Sequence, residues 1–253
     1  MDTPNLFGLL EQPLTTRDAL LAIAIAAAAG VVRGVTGFGA AMVMAPPLAL
    51  LLGPALAVPI VLLLEAFAAA PMLPQASRLA RWKVLGPILG GAALCVPLGT
   101  ALLTTLDPQV TRRAIAFVVL GFGVVLLAGL RWSGRHRPAT GFVLGGFGGA
   151  MLGATSIGGP PVILYLLAGP DDAATTRATL TLYVALSASL GLAALAWRGA
   201  IPLAAGGLGL AMAPLFMLGV VFGGRVFARL SEQRFRRVTI WLMLAVSAWV
   251  LVA

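Results

Sequence analysis

Ten apolar segments alternate with short polar joints along the chain, near residues 18–32, 39–52, 55–74, 84–104, 114–130, 141–156, 160–169, 178–196, 202–222 and 238–253. None shows the two-residue alternation of a barrel strand, so helices are the spanning element that remains. Two stretches break the rhythm: Gly34 to Leu64 and Ala139 to Gly169 each run 31 residues without a charge. A straight helix of that length would extend about 45 Å, against a hydrocarbon core of ~30 Å. Each stretch is therefore predicted to break or turn back. The clusters VTGFGAAMVMAPP and GATSIGGPP mark where.

The two halves echo each other. Thr36-Gly37-Phe38-Gly39-Ala40 parallels Thr155-Ser156-Ile157-Gly158-Gly159, Gly53-Pro54 parallels Gly169-Pro170, and Trp82 has a counterpart in Trp197. Leu106 to Arg113 likewise resembles Leu230 to Arg237. Four matches in one order predict a duplicated architecture, with insertions between them. Charge then orients the copies. If each half is a broken or re-entrant helix pair followed by three transmembrane helices, the loops near 75–83, 131–140, 170–177 and 225–237 share one side. That side carries twelve Lys/Arg and the other four, with Arg33 inside the membrane region. Parallel copies would give eight on each side. The positive-inside rule selects inverted-topology repeats with both termini periplasmic. The expectation is an all-α polytopic membrane protein, one transmembrane domain over 1–253, with repeats of about 17–130 and 140–253.

Composition agrees: 60% of residues are hydrophobic, 10% are charged, and mean hydropathy is +1.03. A soluble domain could not hide that surface. The net charge of +9 is dispersed over loops, which reads as topology information and excludes a nucleic-acid face. Lone Cys95 and lone His136 supply no disulfide framework and no metal set, and the first residues lack the basic region of a cleavable signal. No nucleophile elbow or P-loop appears, so neither an enzyme nor an ATP-driven pump is expected and no cofactor is implied.

The chemistry concentrates at the breaks. A helix restarting after GATSIGGPP, with Pro160 in its first turn, directs its leading N–H groups and positive dipole end at the gap. Thr155 and Ser156 add hydroxyls, and Gly158 and Gly159 let a ligand approach the backbone. Thr36, Gly37, Phe38 and Gly39 offer the same in the first half. Two such ends meeting at mid-depth form a small anion site. Gly145, Gly146, Gly148 and Gly149 fit a helix-packing face instead. Arg33 and Glu65 are the charges deepest in the spans; Arg33 holds an anion directly or pairs with Glu65, and Glu65 carries a coupling proton or serves as that partner. Tyr165, Arg177 and Tyr183 are candidate gates, against the alternative of anchoring and packing.

The stretches RGVTGFGAAMVMAPPLALLLGP and GGAMLGATSIGGPPVILYLLAGP resemble the TauE/SafE sulfite-exporter family, also called TSUP, and the likeness runs over the whole chain. One departure is visible: many members have a second glycine where this chain has Ala40. The resemblance implies a secondary transporter, an exporter of sulfite, thiosulfate, sulfoacetate or another sulfonate across a prokaryotic inner membrane, with protons as a possible coupling ion. Alternating access would rock one half against the other around the site. Two rivals stand: a carrier of cationic or zwitterionic solutes centred on Glu65, and a membrane scaffold that transports nothing.

Overall fold

The computed structural model describes residues 15–36, 38–128, 137–167 and 169–227, and these form helices and connections with no strand among them. The order is α1 (Thr16–Thr36), α2 (Ala40–Leu52), α3 (Pro54–Ala69), α4 (Leu73–Leu79), α5 (Trp82–Thr105), α6 (Pro108–Leu127), α7 (Pro138–Thr155), α8 (Gly159–Leu167), α9 (Ala173–Trp197) and α10 (Leu203–Phe227). The segment expected over 238–253, the two termini, His136 and most of the basic loops at 131–136 and 228–237 lie outside the described residues.

Both charge-free stretches break at their Gly/Pro clusters. Gly39, with φ 87°, separates α1 from α2, and Gly53, with φ 77°, separates α2 from α3. In the second half the turn falls on Ser156, whose φ of 62° makes it the one non-glycine residue with a left-handed backbone among those described. At 1.5 Å per residue α2 runs about 20 Å and α8 about 14 Å, too short to cross ~30 Å of hydrocarbon. The third apolar segment differs from expectation by continuing as helix to Leu79. Pro71 and Pro74 occupy the opening positions of the short 3₁₀ turn 70–72 and of α4, where a proline ring starts a turn instead of stopping one.

Among the described residues, five helical spans are long and apolar enough to cross a membrane: Pro54–Leu79, Trp82–Thr105, Pro108–Val125, Ala174–Trp197 and Leu203–Arg225. This is a multi-pass, all-helical membrane protein. The spans headed by α3 and α9 are both 61% buried and pack against each other at the centre, whereas α6 and α10 are 28% buried and peripheral. Leu98, Phe117, Phe147, Leu210 and Phe222 are exposed on the outer helices, the surface a hydrocarbon solvent requires. Asp172 starts α9 by accepting the Thr175 N–H at 2.7 Å, and these N-terminal hydrogen bonds lower its pKa below the ordinary carboxylate value.

One kind of close helix contact occurs twice. A Cβ added at Gly34 on α1 would stand 2.1 Å from the Val220 carbonyl oxygen on α10, and one at Gly153 on α7 would stand 2.4 Å from the Val96 oxygen on α5. The reverse contacts repeat too: Gly223 would meet the Val31 oxygen at 2.2 Å and Gly99 the Ala150 oxygen at 2.1 Å. Gly153 and Ala150 lie 119 positions after Gly34 and Val31, while Val220 and Gly223 lie 124 after Val96 and Gly99. Small residues let the backbones touch, which is how membrane helices associate without a hydrophobic driving force. Each tight pair takes one helix from each half of the chain.

Gly145 and Gly149 belong to this packing face, against Ile88 and Ala92 of α5. Gly146 completes it: an added Cβ would sit 3.2 Å from the Cys95 sulfur. Gly146→Cys is therefore expected to form a disulfide with the native Cys95 on mild oxidation, checked by loss of both thiols to alkylation under denaturing conditions.

Candidate functional site

The two breaks open onto one cavity of about 40 Å³. Phe38, Gly39, Ala41 and Met42 line it from the first break; Ser156, Ile157, Gly158, Gly159 and Pro160 line it from the second. Glu65 of α3 and Tyr183 and Ser187 of α9 complete the polar part of its wall, and Leu62, Leu152 and Ile163 the apolar part. A water needs roughly 10–15 Å³ of such space, so the cavity accepts a few waters or one small oxyanion.

Local chemistry shapes the second break. The Thr155 hydroxyl donates to the Met151 carbonyl at 2.7 Å and accepts the Ile157 N–H at 3.2 Å, closing the end of α7. Ser156 takes the left-handed turn and donates its hydroxyl to the Thr155 carbonyl. Gly158 presses on α7, where its own added Cβ would lie 2.4 Å from the Gly148 oxygen. Tyr183, fully buried, donates its hydroxyl to the Gly158 carbonyl at 2.9 Å. Pro160 and Pro161 lack N–H groups, so this helix end offers fewer backbone donors than an ordinary one.

The first break is closed differently. One Glu65 carboxylate oxygen accepts the Ala41 N–H at 3.1 Å, at the N-terminus of α2, and the other is held by the Arg33 guanidinium. Both side chains are buried, 5% and 6% exposed. The protein's own carboxylate thus sits where a helix dipole and a buried cation favour a negative charge.

Of the remaining sequence candidates, Arg33 is engaged by Glu65 and does not line the cavity, and Thr155 is buried behind Ser156. The Thr36 side chain and Gly37 lie outside the described residues. Among the candidate gates, Tyr183 reaches the cavity. Tyr165 is buried in a separate cluster with Leu85 and Ile88 and donates to the Arg137 carbonyl at 3.1 Å, while Arg177 is exposed at the start of α9. One polar lining group escaped the sequence reading. Ser187 lies one helical turn beyond Tyr183, so the i, i+4 rule was the available signal. Gly148, expected as a packing glycine, packs against the second break, with the Gly158 oxygen and the Tyr183 hydroxyl as its neighbours. Among the described residues no cluster of His, Cys, Asp or Glu could hold a metal ion.

Comparison with known proteins gives this cavity its context. The family model described as Sulfite exporter TauE/SafE matches residues 22–250. A curated relative, the probable sulfite/organosulfonate exporter TauE of Cupriavidus necator, is 27% identical over 235 residues, covering 86% of this chain and 91% of that protein. No solved structure matches the chain.

Proposed function

Because the chain belongs to the TauE/SafE sulfite exporter family, whose members are transporters and not enzymes, we propose that it is a secondary carrier of a small sulfur-containing anion. The observation that carries this reading is the single cavity enclosed by both helix breaks, sized for one small oxyanion. The substrate sits between Ser156, Gly158 and Gly159 on one side and Phe38 and Gly39 on the other. The Gly159 N–H at the start of α8 receives its oxygens, and the Ser156 hydroxyl does so once it leaves the Thr155 carbonyl. The name of the relative favours sulfite or an organosulfonate and export as the direction; the location is a prokaryotic inner membrane, with both termini periplasmic.

The architecture we propose is a pair of inverted repeats, supported by the recurring glycine contacts at constant offsets and by the loop-charge asymmetry. In this reading the moving units differ from the two halves of the chain. Backbone-to-backbone contact ties α1 to α10 and α5 to α7, so each unit that moves contains helices of both repeats. Oxidised Gly146→Cys, with α5 pinned to α7, is expected to keep the transport rate of its reduced form within about twofold. Loss of transport on oxidation, restored by reductant, would show that this pair must separate.

Proteoliposome flux with sulfite, thiosulfate, sulfoacetate, methanesulfonate and sulfate, with and without a proton gradient, tests the assignment. At least one sulfur anion is expected to move. Gly158→Val is expected to abolish that flux, since its side chain meets the Gly148 backbone and the Leu152 side chain at the cavity wall. Equal leak of every anion in wild type and variant would defeat the reading.

A further inference from the structure

The cavity is electrostatically lopsided. In its first wall the α2 N-terminus is already taken by Glu65, whose charge is matched by Arg33 behind it and away from the cavity. In its second wall the corresponding position, 119 residues after Ala41, is Pro160, which neither donates a backbone hydrogen bond nor faces a carboxylate partner of its own. Glu65 is the one charged residue among the described residues lining the cavity; Tyr183, Ser156 and Ser187 are its neutral polar companions. An anion bound at the second wall therefore faces a fixed carboxylate across a space of about 40 Å³. Once an oxyanion fills that space no layer of water remains between the two charges, and their repulsion acts at low dielectric.

We infer that Glu65 is a charge filter: it restricts the cavity to singly charged oxyanions, of the sulfonate or hydrogen-sulfite type, and rejects dianions such as sulfate or thiosulfate. The inference rests on the anion-carrier reading and narrows it. Arg33 offsets part of the Glu65 charge, so a monoanion meets a weakened repulsion that the positive end of α8 can match. A second charge on the ligand doubles its repulsion from Glu65 and finds no cation among the described residues of the wall. With Glu65 made neutral, its repulsion is lost and Arg33 is left uncompensated behind the wall, and the gain should be larger for dianions than for monoanions.

Methanesulfonate and sulfate make a matched pair of probes: both are tetrahedral at sulfur, and one carries a single charge and the other two throughout the neutral range. The purified full-length protein is titrated with each, reading the anion concentration that gives half of the maximal thermal stabilisation. Wild type is expected to respond to methanesulfonate at a concentration at least tenfold below that for sulfate. In Glu65→Gln that ratio is expected to fall by tenfold or more, chiefly through tighter sulfate binding. Because the single variant leaves Arg33 unpaired and can fail to fold, Arg33→Gln/Glu65→Gln is measured beside it and is expected to shift the ratio in the same direction by less. A wild-type preference for sulfate, or a ratio unchanged in the variants that fold, overturns the filter. If neither probe stabilises wild type and no sulfur anion is transported, the carrier reading itself has failed, which is a different result.

Discussion

Glu65→Gln is expected to lower the stability of the protein by about 3–5 kcal/mol, the cost of leaving a buried charge without its partner. Arg33 is 5% exposed and its guanidinium is held by Glu65, so nothing in the described surroundings replaces the lost carboxylate charge. The amide oxygen of Gln can still accept the Ala41 N–H, so the capping contact at α2 survives in weakened, neutral form. Arg33→Gln leaves the opposite imbalance, a carboxylate at a helix N-terminus, where the dipole supports it. Its loss should therefore be smaller than that of Glu65→Gln. Joining the two substitutions removes both charges and should recover more than half of the larger loss. The ranking is read from reversible unfolding in mixed micelles. Simple addition of the two single losses in the double variant would sink the coupling.

This pair also separates two ideas about Glu65. A freely titrating proton carrier needs a carboxylate that changes partners, while a fixed member of an ion pair does not. The structure pairs it with Arg33 and with the Ala41 N–H at once, so neither carboxylate oxygen is idle. Any coupling role must begin by breaking that arrangement. The filter inferred above requires no such break, only that the negative charge stay in the cavity wall.

The breaks were legible in the sequence because their cause is local. Gly39 and Ser156 sit in left-handed backbone and Gly-Gly-Pro-Pro cannot continue a helix, so a 31-residue apolar run could only interrupt itself there. The partnership of Arg33 and Glu65 was legible only as one option of several. The two lie 32 positions apart, and whether they meet depends on how α1 packs against α2 and α3, which no local rule fixes. The continuation through α4 was missed because Pro71 and Pro74 look like stops until their position in the turn is known. The neighbour of Gly148 was not legible because a glycine on a helix face does not say what it packs against; Gly145 and Gly149 face α5, while Gly148 faces the break. The proposed duplication rests in the sequence on four weak matches, while the pairing of helices from the two halves of the chain is a property of packing with no signature in either half alone.

That pairing makes the second large effect appear at two sites. Gly34→Val and Gly153→Val are each expected to destabilise the protein by about 3 kcal/mol or more, at the upper end of overpacking costs, because the atoms they meet are backbone. The Val220 carbonyl oxygen would lie 2.1 Å from the Gly34 Cβ, with the Gly224 nitrogen at 2.8 Å; the Val96 oxygen and Thr100 nitrogen would lie 2.4 and 2.7 Å from the Gly153 Cβ. A flexible side chain could swing away, but a carbonyl in the middle of a helix can retreat only if the whole helix does. Gly86→Val on the same α5 meets nothing within 4 Å and serves as the control, expected to change stability by under about 1 kcal/mol. The two damaging variants lie on different helices of different halves, yet they should match each other within about 1 kcal/mol, since they wedge apart the same contact made twice. Unfolding midpoints of the three variants in one detergent decide the matter. A large loss at Gly153 with none at Gly34 would mean that α1 and α10 are not clamped as α5 and α7 are. The carrier would then have one rigid pair and one loose one, and the symmetric scheme of movement would have to be given up.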